Sequence, residues 1–200
     1  MNRALDLAGA AAATVVLAPV LAATAVFVRC TMGSPVLFRQ ERTGLHGRPF
    51  TFVKFRTMRP SPRGFDPGSD AERLTAAGRF LRATSLDELP ALWNVLRGDM
   101  SLVGPRPLPV AYLGRYTEQE AHRHDVRPGI TGLAQVLGRN NLTWEQKFAH
   151  DLHYVRARSL RMDLRILAAT VRTVVRRDGV TAAGSATNHE LRAVPEGRQA

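Results

Sequence analysis

The chain is nearly without cysteine and lysine, and it carries no charge over its first long apolar segment. The single Cys30 excludes an intrachain disulfide and fits a reducing compartment. With one cysteine and six scattered histidines, among them the close pair His122 and His124, no cysteine–histidine cluster of metal-site spacing occurs. The two are read as surface or structural residues. A P-loop, a GxGxxG fingerprint and a GxSxG nucleophile motif are all absent. No internal repeat marks a solenoid, so 200 residues leave room for one domain and an anchor. Lysine occurs only at Lys54 and Lys147; all other basic side chains are arginine or histidine. Arginine forks suit phosphate oxygens and lysine acts as a compact point charge, so a lysine at position 54 is informative. The net charge of +11 and pI near 11.3 favour polyanionic partners: nucleic acid, anionic lipid or a phosphorylated substrate.

From Leu7 to Val28 the chain is uncharged and, at about 1.5 Å rise per residue, long enough to cross a bilayer. It exceeds the h-region of about 7 to 15 residues expected of a cleaved signal peptide. Pro19 removes a helical hydrogen bond in mid-run and predicts a kink. Arg3 precedes the run and Arg29, Arg39 and Arg42 follow it, so the positive-inside rule places both flanks in the cytoplasm, which a single span does not satisfy. A re-entrant hairpin bent at Pro19 does; an ordinary spanning helix with a tolerated proline is the alternative.

The pattern beyond predicts an α+β, mainly helical fold. An anchor (residues 1–32) leads into a compact domain (33–179) and a loosely ordered polar tail (180–200). Val36 to Arg42 and Pro49 to Arg56, separated by Gly44, His46 and Gly47, read as a β-hairpin. Prolines and glycines from Pro60 to Asp70 read as an irregular loop. Leu86, Leu89, Leu92, Trp93 and Leu96 recur at helical spacing, and Thr143 with Gln146 forms a capping box. In the last helix Leu160, Leu164, Leu167, Val171 and Val174 form a stripe beside Arg161, Arg165, Arg172 and Arg176, with Gly179 as C-cap. That amphipathic face fits anionic headgroups or a core-packed stripe under solvated arginines.

The chemistry concentrates at Ser85-Leu86-Asp87-Glu88-Leu89-Pro90. Ser85 and Glu88 have capping-box spacing, which explains both structurally. Pro90 disfavours a helix begun at Ser85 and tolerates one begun nearer Asp87. Free N–H groups at a helix start stabilise carboxylate or phosphate. Adjacent acids point roughly 100° apart on a helix, so Asp87 and Glu88 suit divided roles, one as nucleophile toward phosphorus and one as ligand of a hard cation such as Mg²⁺. Arg106, fixed between Pro105 and Pro107, is a preorganised guanidinium suited to phosphate. Arg127-Pro128-Gly129-Ile130-Thr131-Gly132 is a second stiff segment, leading to Gln135 and Gly138-Arg139-Asn140, where arginine and amides can read a nucleotide or serve a structural turn.

Met32 to Met58, Ser85 to Pro107 and Val126 to Asn140, continued by Trp144, Asp151, Tyr154, Ser159 and Asp163, resemble the bacterial sugar transferases called monotopic phosphoglycosyl transferases. The resemblance runs from the anchor to about Gly179 and is nearest to the small, PglC-type members. It implies a re-entrant anchor at the cytoplasmic face of the bacterial inner membrane, a UDP-sugar donor, a polyprenyl (undecaprenyl) phosphate acceptor, and no role for nucleic acid. Asp87 would attack the β-phosphate and carry the sugar phosphate, Glu88 would bind Mg²⁺ and Arg106 would hold phosphate. Lys54, Arg56, Arg127, Gln135, Arg139 and Asp151 match recurring family positions and are expected to serve substrate binding. The chain departs from the small members at Ala18, where they often have serine before the proline; alanine cannot hydrogen-bond the broken backbone. From the residues alone, the rival is a membrane-tethered basic module for nucleic acid or anionic lipid, which explains the charge but not the acidic pair.

Overall fold

The computed structural model describes residues 3–60, 70–138, 141–176 and 191. Helix α1 (Arg3–Met32) is a single helical element with Pro19 inside it, rather than two arms meeting at a break. Among the described residues it is the one helix long and apolar enough to cross a membrane. The hairpin follows: β1 (Leu37–Thr43) pairs antiparallel with β2 (Pro49–Phe55), from Leu37 opposite Phe55 to Thr43 opposite Pro49. Between them His46 and Gly47 take positive φ, which glycine adopts without strain.

Helices α2 (Asp70–Arg73) and α3 (Ala76–Ala83) lead to a 3₁₀ turn (Leu86–Ala91) and α4 (Leu92–Arg97). Gly78 is required where α3 passes the hairpin, because a Cβ there would lie 1.8 Å from the Thr57 carbonyl oxygen. Strand β3 (Ser101–Val103) pairs parallel with β4 (Gly129–Thr131), so the stiff segment after Arg127 is a strand rather than a turn. Between these strands lie 3₁₀ turns at Val110–Arg115 and His122–His124 and helix α5 (Glu118–Ala121). Helices α6 (Leu133–Leu137), α7 (Trp144–Ala157) and α8 (Leu160–Arg176) close the domain, with α7 opened by the Thr143–Gln146 capping box.

The anchor is part of the core. Ala10 packs with Phe52, Ala91, Leu92, Val95 and Met100, and eighteen residues on Val28 packs with Phe55 and Leu81. The first turn adds a polar clamp. Arg3 donates to the Met100 carbonyl at 3.1 Å, and the buried Asp6 accepts from the Ser101 hydroxyl and the Leu102 amide, each at 2.8 Å. Both ends of α1 therefore rest on one body, while Val15 and Val16 between them stay 75% and 73% exposed. Asn94, fully buried, ties α4 to the hairpin by accepting from the Val53 amide and donating to the Thr51 carbonyl.

Two further sequence expectations change. The Ser85–Glu88 capping box does not form: Ser85 sits in the left-handed region at φ 57° with no capping hydrogen bond, and the α-helix begins at Leu92, so Pro90 belongs to the tighter 3₁₀ turn. The α8 stripe divides. Of its members Leu167 packs inward, beside Ile166, which is buried and lies outside the stripe, whereas Leu160, Leu164 and Val171 are exposed next to Arg161, Arg165 and Arg172. Helical spacing of apolar residues marks one face of a helix but does not say whether that face meets its own domain. The loop at 61–69, the Gly179 cap and nearly all of the 180–200 tail lie outside the described residues. Leu191 is the exception: it is buried against Leu108, Tyr112, Tyr116 and Phe148, and Arg115 donates to its carbonyl at 2.9 Å.

Candidate active site

Five segments deliver charge to one place. Arg42 comes from β1, Lys54 from the end of β2, Arg82 from the last turn of α3, Asp87 and Glu88 from the 3₁₀ turn, and Arg106 from the segment after β3. A 3₁₀ turn advances about 120° per residue, so the two acids diverge even more than they would on an α-helix. Glu88 turns to Arg106, whose Nη1 lies 3.2 Å from Oε2 while Nη2 donates to Oε1, a bidentate pair. Asp87, only 5% exposed, has no such pair and sits in the field of Lys54, Arg82 and Arg106.

Environment separates the two carboxyls. Burial raises Asp87 to about 6, with repulsion from Glu88 adding to the rise and Lys54, Arg82 and Arg106 opposing it. Glu88 would also be raised by burial, yet its pairing with Arg106 holds it down at about 2. Lys54 is lowered to about 8 by burial, with Asp87 acting against the fall. Arg42 is lowered by burial and by Arg106 to about 10. Four cations face two carboxylates, an excess of positive charge that suits a phosphorylated ligand.

The remaining sequence candidates divide. Arg56 is a structural grip: buried, it donates to the carbonyls of Ser34 at 3.1 Å and Gly33 at 2.8 Å, and also to that of Met32, closing the end of α1. Arg127 donates to the Gly98 carbonyl at 3.0 Å and secures the end of α4. Asp151 is buried in an ion pair with Arg123 at 2.7 Å. Arg56 and Asp151 are thus buried in contacts with protein, whereas Arg127 is exposed and spends its Nε on this one contact. Gln135 lies near the segment leading to Arg106, since a Cβ on Gly132 would meet both its Oε1 and the Gly104 carbonyl, and its amide is buried with no hydrogen-bond partner among the described residues. Arg139 lies outside the described residues.

Sequence reasoning does not single out Arg82, Arg123 or Lys147. Arg82 and Arg123 are two of many arginines, and only the fold shows that Arg82 faces Asp87 and that Arg123 lies under Arg106. Lys147 sits over the Trp144 ring at 4.7 Å, its pKa lowered by burial and by Arg106. Among the described residues no group of three or more His, Cys, Asp or Glu side chains is placed to hold a metal ion. Any Mg²⁺ here would draw on one or two carboxylates together with phosphate oxygens of a substrate.

The sequence profile described as bacterial sugar transferase matches residues 1–177. The chain belongs to that family. Among its relatives, the uncharacterized sugar transferase EpsL of Bacillus subtilis (strain 168) is 53% identical over 83% of this chain and 81% of its own length. The UDP-glucose:undecaprenyl-phosphate glucose-1-phosphate transferase of Caulobacter vibrioides is 43% identical over 88% of this chain and 70% of its own. The undecaprenyl-phosphate galactose phosphotransferase of Salmonella typhimurium is 42% identical over 74% of this chain but only 35% of its own length, so this sugar transferase spans about a third of that relative.

If Lys54 offsets the desolvation of Asp87, Lys54→Met will move the Asp87 pKa upward from about 6, because removing a cation penalises the ionised carboxyl. Titration of the ¹³C carboxyl shift of Asp87 reads this directly, and an unmoved midpoint would show that the ammonium does not act on it.

Proposed function

We propose that this sugar transferase moves a sugar 1-phosphate from a UDP-sugar to a polyprenyl phosphate, releasing UMP, at the cytoplasmic face of a bacterial membrane. The observation that carries the reading is Asp87, a carboxylate almost removed from water among cations and beside the Glu88–Arg106 pair. A module that only binds anions gives no reason to bury an acid there. The names of the Caulobacter and Salmonella relatives supply the donor and acceptor classes.

In this mechanism Arg106, Lys54, Arg82 and Arg42 receive the diphosphate, and their fixed positions stabilise charge as it moves toward the leaving group. A carboxylate oxygen of Asp87 forms a bond to the β-phosphorus as the bond from that phosphorus to the bridging oxygen breaks, and UMP leaves with the electron pair. The phosphate oxygen of the polyprenyl acceptor then attacks the same phosphorus and returns Asp87 to its carboxylate. A pKa near 6 leaves Asp87 largely ionised at neutral pH, and partial desolvation removes water that would compete for its lone pairs. Mg²⁺ fits as a partner of Glu88, whose carboxylate keeps lone pairs beyond the two that Arg106 occupies, completed by phosphate oxygens. When bound it would neutralise charge on the departing UMP.

The anchor is read as monotopic. A helix whose two ends both rest on one domain, through Asp6 and Ser101 at the start and Val28 and Phe55 near the end, does not place those ends on opposite sides of a bilayer. The exposed Val15, Val16, Val26, Phe80 and Trp93 then meet lipid, with Leu164, Val171, Arg165 and Arg172 of α8 at the headgroups. The Asp6 clamp also offers an answer to Ala18: the domain holds the start of the helix, so its placement need not be fixed by a serine before Pro19.

Asp87→Asn is expected to lower UMP release from a panel of UDP-sugars, UDP-glucose and UDP-galactose included, by at least about 10³-fold, as loss of a nucleophile should. Near-normal turnover would refute the covalent reading. For the anchor, a cysteine at position 2 in a Cys30→Ser background should resist a membrane-impermeant maleimide added to intact spheroplasts and react once they are lysed. Labelling of intact spheroplasts would mean that the helix spans.

A further inference from the structure

The segment from Pro105 to Leu108 is held at four successive carbonyls. The Pro105 carbonyl accepts from the Gly129 amide at 3.0 Å, the Arg106 carbonyl from Arg123 Nη2 at 2.7 Å, the Pro107 carbonyl from Arg42 Nη1 at 2.7 Å, and the Leu108 carbonyl from the Thr43 amide at 2.9 Å. Two of the four holders are backbone amides of the sheets, and Arg42 belongs to the site. Arg123 is different. Its side chain is 2% exposed, so substrate does not reach it, and its guanidinium lies over the rings of Tyr116 and Phe148 at 5.8 and 5.6 Å.

The charge on Arg123 is balanced by Asp151 on α7, whose Oδ2 accepts from Nε at 3.1 Å and from Nη2 at 2.7 Å. The same Nη2 also donates to the Arg106 carbonyl, so one planar fork reads a carboxylate and a peptide oxygen together. A lysine at 123 would keep the charge and lose this geometry. The pair thus connects α7 to the backbone of the residue whose side chain grips Glu88.

We infer that Arg123 and Asp151 are positioning residues, which set the Arg106 backbone so that its guanidinium meets both Glu88 and the donor phosphate without either residue touching substrate. This rests on the reading of Arg106 as a phosphate ligand. It reassigns Asp151 from a substrate contact to a residue acting through Arg123.

A double-mutant cycle on the full chain in membranes separates this role from general stability, because only residues acting through one another depart from additivity. UMP-release kcat/KM is measured with the UDP-sugar turned over fastest, for Asp151→Asn and Arg123→Lys, each in the native and the Arg106→Ala background, with thermal melting of every variant as the check on folding. In the native background each substitution is expected to lower kcat/KM by at least about tenfold, since small misplacements of a catalytic group are costly. In the Arg106→Ala background the same substitution should change it by less than about twofold. Equal losses in the two backgrounds would overturn the inference. An Arg106→Ala enzyme of undiminished activity would instead overturn the reading of Arg106, a distinct result. If Asp151→Asn does not fold, Arg123→Lys, which keeps both charges of the pair, carries the cycle.

Discussion

The bidentate contact of Arg106 with Glu88 joins two segments that the chain order keeps apart, the 3₁₀ turn after α3 and the proline-flanked loop after β3. It also sets the electrostatics around it. With Arg106 in place Glu88 remains ionised despite burial, and the ionised Glu88 in turn helps to push the neighbouring Asp87 upward. Had Arg106 been free to move, both carboxyls would compete for the same cations. Prolines on either side of Arg106 and the hydrogen bonds to the surrounding carbonyls remove that freedom before any ligand arrives, which is the condition for a preorganised phosphate site.

The anchor takes part in this arrangement. Ala10 and Val95 share a cluster, and Ala91, the last residue of the acidic 3₁₀ turn, belongs to it as well. Helix α1 is therefore a wall of the domain that carries the acidic turn, and Val15, Val16 and Val26 on the exposed side of that wall are apolar. The placement of this apolar helix and the geometry of the acidic turn rest on the same contacts, so a change in how the helix sits would be felt at Asp87.

Much of this was legible in the sequence where one local cause dominates. The hairpin followed from two Val- and Phe-rich runs around a glycine turn, α7 from its Thr143–Gln146 box, and the acidic pair beside a proline-locked arginine from residue type and spacing alone. What escaped depended on three dimensions. The Ser85 box was outweighed by a left-handed residue and a 3₁₀ turn that accommodate Pro90. Arg56 and Arg127 occupy family-like positions, yet carbonyls at the ends of α1 and α4 take their hydrogen bonds, and no sequence spacing reveals which carbonyls will be near. Arg82 and Arg123 are hidden by the abundance of arginine, and the parallel pairing of β3 with β4 joins segments too short and too distant to show a periodic signal.

The central claim is that Asp87 carries the sugar phosphate between donor and acceptor. Intact-protein and peptide mass spectrometry after incubation with a UDP-sugar that is turned over, in the absence of polyprenyl phosphate, tests it most directly. The account predicts that the peptide containing Asp87 gains the mass of one sugar phosphate and loses it again when polyprenyl phosphate is added. UMP release that proceeds only when the acceptor is present, with no adduct on the protein, would contradict it.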